Sequence, residues 1–122
     1  MSRETAFRHI PHPSPTPAAA RADRLKDPGF GRVFTDHMVT VRWSEGQGWH
    51  DAQVRARESF SLDPASAVLH YAQEIFEGLK AYRHGNGVAL FRPEKNARRF
   101  QESAERLAMP ILPEEIFLNA VE

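Results

Sequence analysis

Residues 79–93 constrain the fold most, because they join a strand pattern, a tight-turn sequence and a proline. Side chains from Leu79 to Arg83 alternate between two faces, as in a strand. The tetrad His84-Gly85-Asn86-Gly87 follows, and Asn-Gly tolerates the positive φ angles of tight hairpin turns. We therefore expect residues 88–92 to return antiparallel to residues 79–83, and Pro93 to end the second strand.

Helical patterns lie on both sides of this hairpin. Before it, Leu69, Ala72, Phe76 and Leu79 recur at spacings of three and four, which predicts one apolar stripe on a helix that ends near Gly78. After it, Pro93 suits the first turn of a second helix. The expected buried stripe of that helix consists of Ala97, Phe100, Ala104, Leu107 and Ala108.

A third helix is expected from Pro113, with Glu114 and Glu115 in its acidic first turn. No glycine, asparagine cap or basic last turn stops it before Glu122, so we expect the sequence to end inside a helix.

The first half of the chain predicts a second hairpin after an irregular arm. Residues 1–26 alternate prolines with small or polar residues, which is typical of a flexible or polyproline-like arm. Residues 38–43 read MVTVRW, a strand pattern, and residues 44–48 have turn chemistry before a weaker alternating segment at 49–57. The expected fold is α+β, with an antiparallel sheet of both hairpins covered by helices, in one domain over residues 27–122.

Composition narrows the function classes. The 122 residues contain 16 basic and 16 acidic side chains, so the chain has no bulk electrostatic reason to bind nucleic acid or an anionic membrane. It has no cysteine, and therefore no disulfide framework or thiolate chemistry. No apolar run reaches the roughly 20 residues of a membrane span, and the first residues lack a secretory signal. Cytoplasm is the expected location.

Three ordered motifs, FGRVFTDHMV, LHYAQEIFEGLKAY and FRPEKNARRF, resemble the N-terminal small domain of branched-chain amino acid aminotransferases. These are pyridoxal-phosphate enzymes of fold type IV, and the resemblance covers about residues 27–122. It implies that the intact enzyme is a homodimer. It also implies that the enzyme moves an amino group between leucine, isoleucine or valine and 2-oxoglutarate.

The positions of the lysines indicate whether this chain could be catalytically active by itself. Pyridoxal-phosphate aminotransfer needs a lysine amine that holds the cofactor as a Schiff base and then moves the α-proton. The chain has only Lys26, Lys80 and Lys95, and none stands where the resemblance places that lysine. In the family it comes from the larger second domain, so we expect the 122 residues alone to contain no catalytic residue and to be inactive.

Arg99 is the candidate cofactor-binding residue. A guanidinium offers a rigid fork of donors that matches a phosphate, although a polar side chain on a helix is usually just solvated. The resemblance favours the phosphate role, since Arg99 occupies the arginine of the FRP-x-x-N-x-x-R pattern that holds the cofactor phosphate in the family. Arg98 is out of register by one residue, roughly 100° around the helix.

Phe30, Tyr71 and Phe76 are the candidate substrate-binding residues. By their spacing, Tyr71 and Phe76 would be displaced by about 140° on one helix, and aromatic side chains at helical spacing are more often packing than pocket. The resemblance implies that all three line the pocket for a small aliphatic substrate, because apolar walls offer no polar partner to charged side chains.

Other chemistry is weakly supported. His9 and His12 have no further ligand nearby, so no metal site is expected. His37, His70 and Asp36 lack a nucleophile or metal set, and a structural role is the better interpretation.

Two alternatives to the aminotransferase interpretation remain. One is another fold-type IV enzyme, a D-amino acid aminotransferase or an aminodeoxychorismate lyase, against which the DHM and HYAQEIFEGLKAY motifs argue. The other is a short module that binds or pairs without catalysis, against which the unfinished last helix argues.

Overall fold

A computed structural model describes residues 6–122, and the chain forms two compact units, Met1–Phe60 and Ser61–Glu122. Both units contain helix and strand, which confirms the α+β class. The two predicted hairpins form separate sheets, one of three strands and one of two, so the expectation of a single sheet was wrong. No helix among residues 6–122 is long and apolar enough to cross a membrane.

The first unit is built on the predicted hairpin. Its elements are β1 (Arg8–His9), α1 (Ala18–Arg24), β2 (His37–Ser44) and β3 (Gly48–Ala56). Strands β2 and β3 pair antiparallel from His37↔Ala56 to Ser44↔Gly48, with a register shift between Thr40 and Arg42. The turn uses Gly46 and Gly48 at φ of 79° and 75°, a region that side chains disfavour.

The segment expected to be an irregular arm contains two regular elements. Strand β1 lies parallel to β3, and the amide of Ile10 donates to the Val54 carbonyl at 2.9 Å. Helix α1 follows, and the side chain of Asp36 accepts from both the amide and the hydroxyl of Thr16, at 2.7 and 2.6 Å. These hydrogen bonds join residues that are far apart in sequence, so no local sequence pattern predicts them. The first five residues of the predicted arm lie outside the described residues.

The second unit contains the helices and the Asn-Gly hairpin. Its elements are α2 (Ala67–Tyr71), β4 (Ala81–His84), β5 (Gly87–Leu90), α3 (Pro93–Arg106) and α4 (Glu114–Val121). Strands β4 and β5 pair from Ala81↔Leu90 to His84↔Gly87, which confirms the predicted hairpin. Gly85 in the turn has φ of 56°.

The helix predicted up to Gly78 ends early. Helix α2 stops at Tyr71, and Ala72 adopts a left-handed conformation with φ of 49°. Residues 73–80 contain no helix or strand. The reason is that Leu69 and Phe76 of the expected stripe are 58% and 88% exposed, and a short helix with no buried face is marginal in water.

Helices α3 and α4 pack together and form the core of the second unit. Ala97, Ala104 and Ile116 are buried, and the rings of Phe100 and Phe117 lie 5.4 Å apart at 48°. The predicted start of α3 at Pro93 and the acidic first turn of α4 are confirmed. Of the predicted stripe, however, Leu107 and Ala108 are exposed, because they lie beyond the last helical residue.

Candidate functional site

The site is built on one face of α3, where Asn96 and Arg99 are neighbours three residues apart. Pro93 in the first turn fixes where the helix starts, and hence which way this face points. Both side chains contact the segment that follows Ala72, and they meet it at Glu77 and Gly78.

Glu77 is the centre of the cluster. The Nε of Arg99 donates to its Oε2 at 2.7 Å, and the Nη2 of Arg99 donates to its Oε1, which makes the pair bidentate. Oε1 also accepts from the amide of Gly78 at 2.9 Å and from the Nδ2 of Asn96 at 3.2 Å. Asn96 donates from the same Nδ2 to the Gly78 carbonyl at 3.0 Å, which ties the backbone next to Glu77 to α3.

Burial is unequal across this ion pair. The Glu77 side chain is 4% exposed, whereas that of Arg99 is 66% exposed. The Arg99 hydrogen bond lowers the pKa of the Glu77 carboxyl from 4.5 to about 2; burial opposes this effect, and the Gly78 and Asn96 hydrogen bonds reinforce it. Glu77 in turn raises the pKa of Arg99. Both groups are therefore charged throughout the physiological range.

Arg99 keeps donors for a ligand. No hydrogen bond from its Nη1 to a described residue is present, and the Arg99 side chain is 66% exposed. An exposed, permanently charged fork with unused donors fits a phosphate group. Arg98 instead points to α4, with its Nε 3.7 Å from Glu114, which agrees with its predicted difference in register.

The three aromatic candidates are exposed. Tyr71 is the last residue of α2 and 84% exposed, and Phe76 lies beyond the left-handed Ala72 and is 88% exposed. Because α2 is broken between them, the 140° relation expected on one helix does not apply. Phe30 belongs to the first unit, in a turn between α1 and β2, and is fully exposed.

A separate cavity lies in the first unit. It has a volume of about 840 Å³, and Phe34, Met38, Arg57 and Phe60 are among its lining residues. The Arg57 guanidinium stacks on the Phe34 ring at 4.3 Å. None of the four predicted site residues lines this cavity.

The weaker candidates have structural partners. Hydrogen bonds from Thr16 lower the pKa of Asp36, so this carboxylate fixes the chain before α1. The His37 ring meets the His12 ring edge-on at 5.3 Å, and the His70 Nε2 lies 2.6 Å from the Pro64 carbonyl oxygen. Among residues 6–122, no three His, Asp or Glu side chains are grouped to hold a metal.

Sequence reasoning missed Glu77. Its partner is 22 residues away and its importance depends on side-chain geometry, which no periodic pattern reports. The available signal was an acidic residue directly between Phe76 and Gly78, in a run whose other members are mostly apolar.

The chain is similar to curated proteins named as branched-chain-amino-acid aminotransferases. The chain is 59% identical over 113 residues to a probable branched-chain-amino-acid aminotransferase of Streptomyces coelicolor, and 52% identical over 109 residues to that of Mycolicibacterium smegmatis. These alignments cover 92% and 88% of the chain but 31% and 30% of the relatives. A cytosolic branched-chain-amino-acid aminotransferase of Saccharomyces cerevisiae is 45% identical over 71% of the chain and 24% of its own length. The chain thus spans under a third of these relatives. No family model matches it.

Proposed function

We propose that this chain belongs to the branched-chain aminotransferases and forms the small N-terminal domain of such an enzyme, over residues 27–122; the support is 59% and 52% identity to two proteins of that name. The complete protein transfers the amino group between leucine, isoleucine or valine and 2-oxoglutarate. Its cofactor is pyridoxal 5′-phosphate, which supplies the electron sink for the chemistry at the substrate α-carbon. In this proposal the lysine that binds the cofactor comes from a larger second domain, as the resemblance to the family implies.

Arg99 binds the cofactor phosphate in this proposal. The observation that carries it is the state of the guanidinium: Glu77 holds one edge through Nε and Nη2, while Nη1 and the outer surface remain open. A phosphate can therefore approach donors whose direction is already set. The net charge of the pair is zero, so the contact depends on directed hydrogen bonds more than on a long-range field.

Phe30, Tyr71 and Phe76 form walls of the substrate pocket in this proposal. These side chains are 84% to 101% exposed, so their apolar surfaces are open to a ligand. The three side chains offer apolar surface, which suits an aliphatic substrate side chain and disfavours a charged one.

We also propose the assembly and location of the complete enzyme: a homodimer in the cytoplasm that binds amino acid and 2-oxo acid substrates. The support is the similarity to enzymes named as branched-chain aminotransferases, one of which is described as cytosolic.

The phosphate assignment is tested with Arg99→Gln in the protein expressed from its complete reading frame. Loss of a charge-assisted, bidentate phosphate contact costs about 1.5–3 kcal/mol, so we expect the dissociation constant for pyridoxal phosphate to rise about 10- to 100-fold. The readout is the cofactor absorbance during titration of the apoprotein. Arg98→Gln on the same helix is the matched control and should leave the constant unchanged. Equal affinity in Arg99→Gln and the unmodified protein would refute the assignment.

A further inference from the structure

Glu77 makes every described contact of the Arg99 guanidinium. Two parallel hydrogen bonds join the carboxylate to Nε and Nη2, which fixes both the position and the plane of the guanidinium. The carboxylate itself is fixed by the Gly78 amide and by Asn96. Asn96 on α3 thus holds the Glu77 carboxylate, and this carboxylate holds the guanidinium of Arg99.

This arrangement is poorly suited to a purely stabilising role. An ion pair whose arginine is two-thirds exposed adds little to stability, because solvent screens it, while a buried carboxylate loses its hydration. The same arrangement suits a positioning role well. A free arginine side chain has many rotamers, and a ligand that must order them binds more weakly than one that meets a fixed fork.

We propose that Glu77 is a positioning residue that holds the Arg99 guanidinium ready for the cofactor phosphate, with Asn96 as the support of its carboxylate. This inference rests on the proposed role of Arg99. Glu77 itself touches no phosphate: its lone pairs face donors of this chain, and an anion would be repelled by it.

Repulsion between Glu77 and the phosphate would have the opposite effect on cofactor affinity. If the negative charge of Glu77 mattered mainly as a repulsive neighbour of the phosphate, its removal would tighten cofactor binding. If Glu77 positions Arg99, its removal weakens binding despite the loss of repulsion. The sign of the change therefore separates the two effects.

The test uses Glu77→Gln in the protein expressed from its complete reading frame and compares two ligands, pyridoxal phosphate and pyridoxal. Glutamine keeps the size of the side chain but removes the charge that pairs with Arg99. We expect the dissociation constant for pyridoxal phosphate to rise about tenfold, equivalent to about 1.4 kcal/mol. Binding of pyridoxal, which has no phosphate, should be unchanged. A general structural defect would weaken both ligands.

Two further variants complete the design. In an Arg99→Gln background, Glu77→Gln should add nothing to the loss, because the two residues act as one unit. Glu114→Gln is the matched control: it removes the carboxylate paired with Arg98 on the same helix, and it should affect neither ligand.

The outcomes distinguish the two proposals. If Arg99→Gln binds both ligands normally, the phosphate role of Arg99 fails and the inference fails with it. If Arg99→Gln loses only the phosphate ligand while Glu77→Gln binds it normally or more tightly, only the positioning role is overturned. If Glu77→Gln does not fold, Asn96→Ala decides in its place: a two- to threefold loss confined to pyridoxal phosphate supports positioning, and no loss overturns it.

Discussion

The pKa of Glu77 gives a direct physical test of the cluster. We expect Glu77 to titrate near pH 2, well below its usual value of 4.5, mainly because of the hydrogen bond from Arg99. In Arg99→Gln that contribution is lost while burial remains, so the pKa of Glu77 should rise towards its usual value. The Gly78 amide and Asn96 still donate to the carboxylate and limit the rise.

The same shift links the pair to stability. Each pKa unit corresponds to about 1.4 kcal/mol, so the fall from 4.5 to about 2 sets an upper limit of about 3 kcal/mol on the stabilisation. Because Arg99 is largely exposed, solvent screening reduces the expected value to about 1 kcal/mol. The folded-state pKa is lower than the unfolded one, so this stabilisation is complete above pH 4.5 and is lost as the pH falls through about 2.

The assay is a pH titration of the Glu77 side-chain carboxyl carbon by NMR, in the unmodified chain and in Arg99→Gln. A Glu77 midpoint near 4.5 in the unmodified chain, or one that stays near 2 without Arg99, would refute the account of the cluster.

Two further predictions concern the helices of the second unit. Ala108 has φ of 52° in the turn that ends α3, where the amide of Met109 donates to the Ala104 carbonyl at 2.8 Å. Glycine adopts this left-handed conformation without strain, so Ala108→Gly should stabilise the unit by about 1 kcal/mol. Ala97→Gly, inside the same helix, should destabilise the unit by about 1 kcal/mol or more. Urea unfolding measures both, and a loss of stability in Ala108→Gly would contradict the reasoning. Phe100→Ala removes the ring that packs on Phe117 and should cost about 2–3 kcal/mol. Phe91→Ala removes a ring that is 77% exposed and should leave the free energy of unfolding almost unchanged. Equal losses of stability in Phe100→Ala and Phe91→Ala, measured by thermal unfolding, would disprove the contribution of the α3–α4 contact.

Elements with local causes were predictable from the sequence. The Asn-Gly turn determines the β4–β5 hairpin, and Pro93 with the apolar spacing after it determines α3. Strand β1 was missed because its two residues gain regular structure only from an edge of β3 more than 40 residues away. Helix α2 was predicted too long, because apolar spacing indicates that a helix would have an apolar face but not whether other residues bury that face.

The candidate site divides in the same way. The helical register correctly separated Arg98 from Arg99, since a difference of one residue turns the side chain towards α4. The Glu77 contact could not be predicted, because it depends on the path of the chain between Ala72 and Lys80, where the apolar spacing predicted a helix that the structure does not form. The roles of Phe30, Tyr71 and Phe76 stay predictions, because they come from the resemblance alone.

The early end of α2 has a consequence for thermal motion around Arg99. After Ala72, the segment of residues 73–80 is attached to the rest of its unit largely through side chains: Gln73 donates to the Leu107 carbonyl at 2.9 Å, and Glu77 and Gly78 are tied to α3. Side-chain hydrogen bonds break and re-form more readily than the backbone hydrogen bonds of a helix. The segment and the arginine should therefore become ordered or disordered together, so a ligand that binds the guanidinium should also reduce the motion of the backbone at residues 73–80.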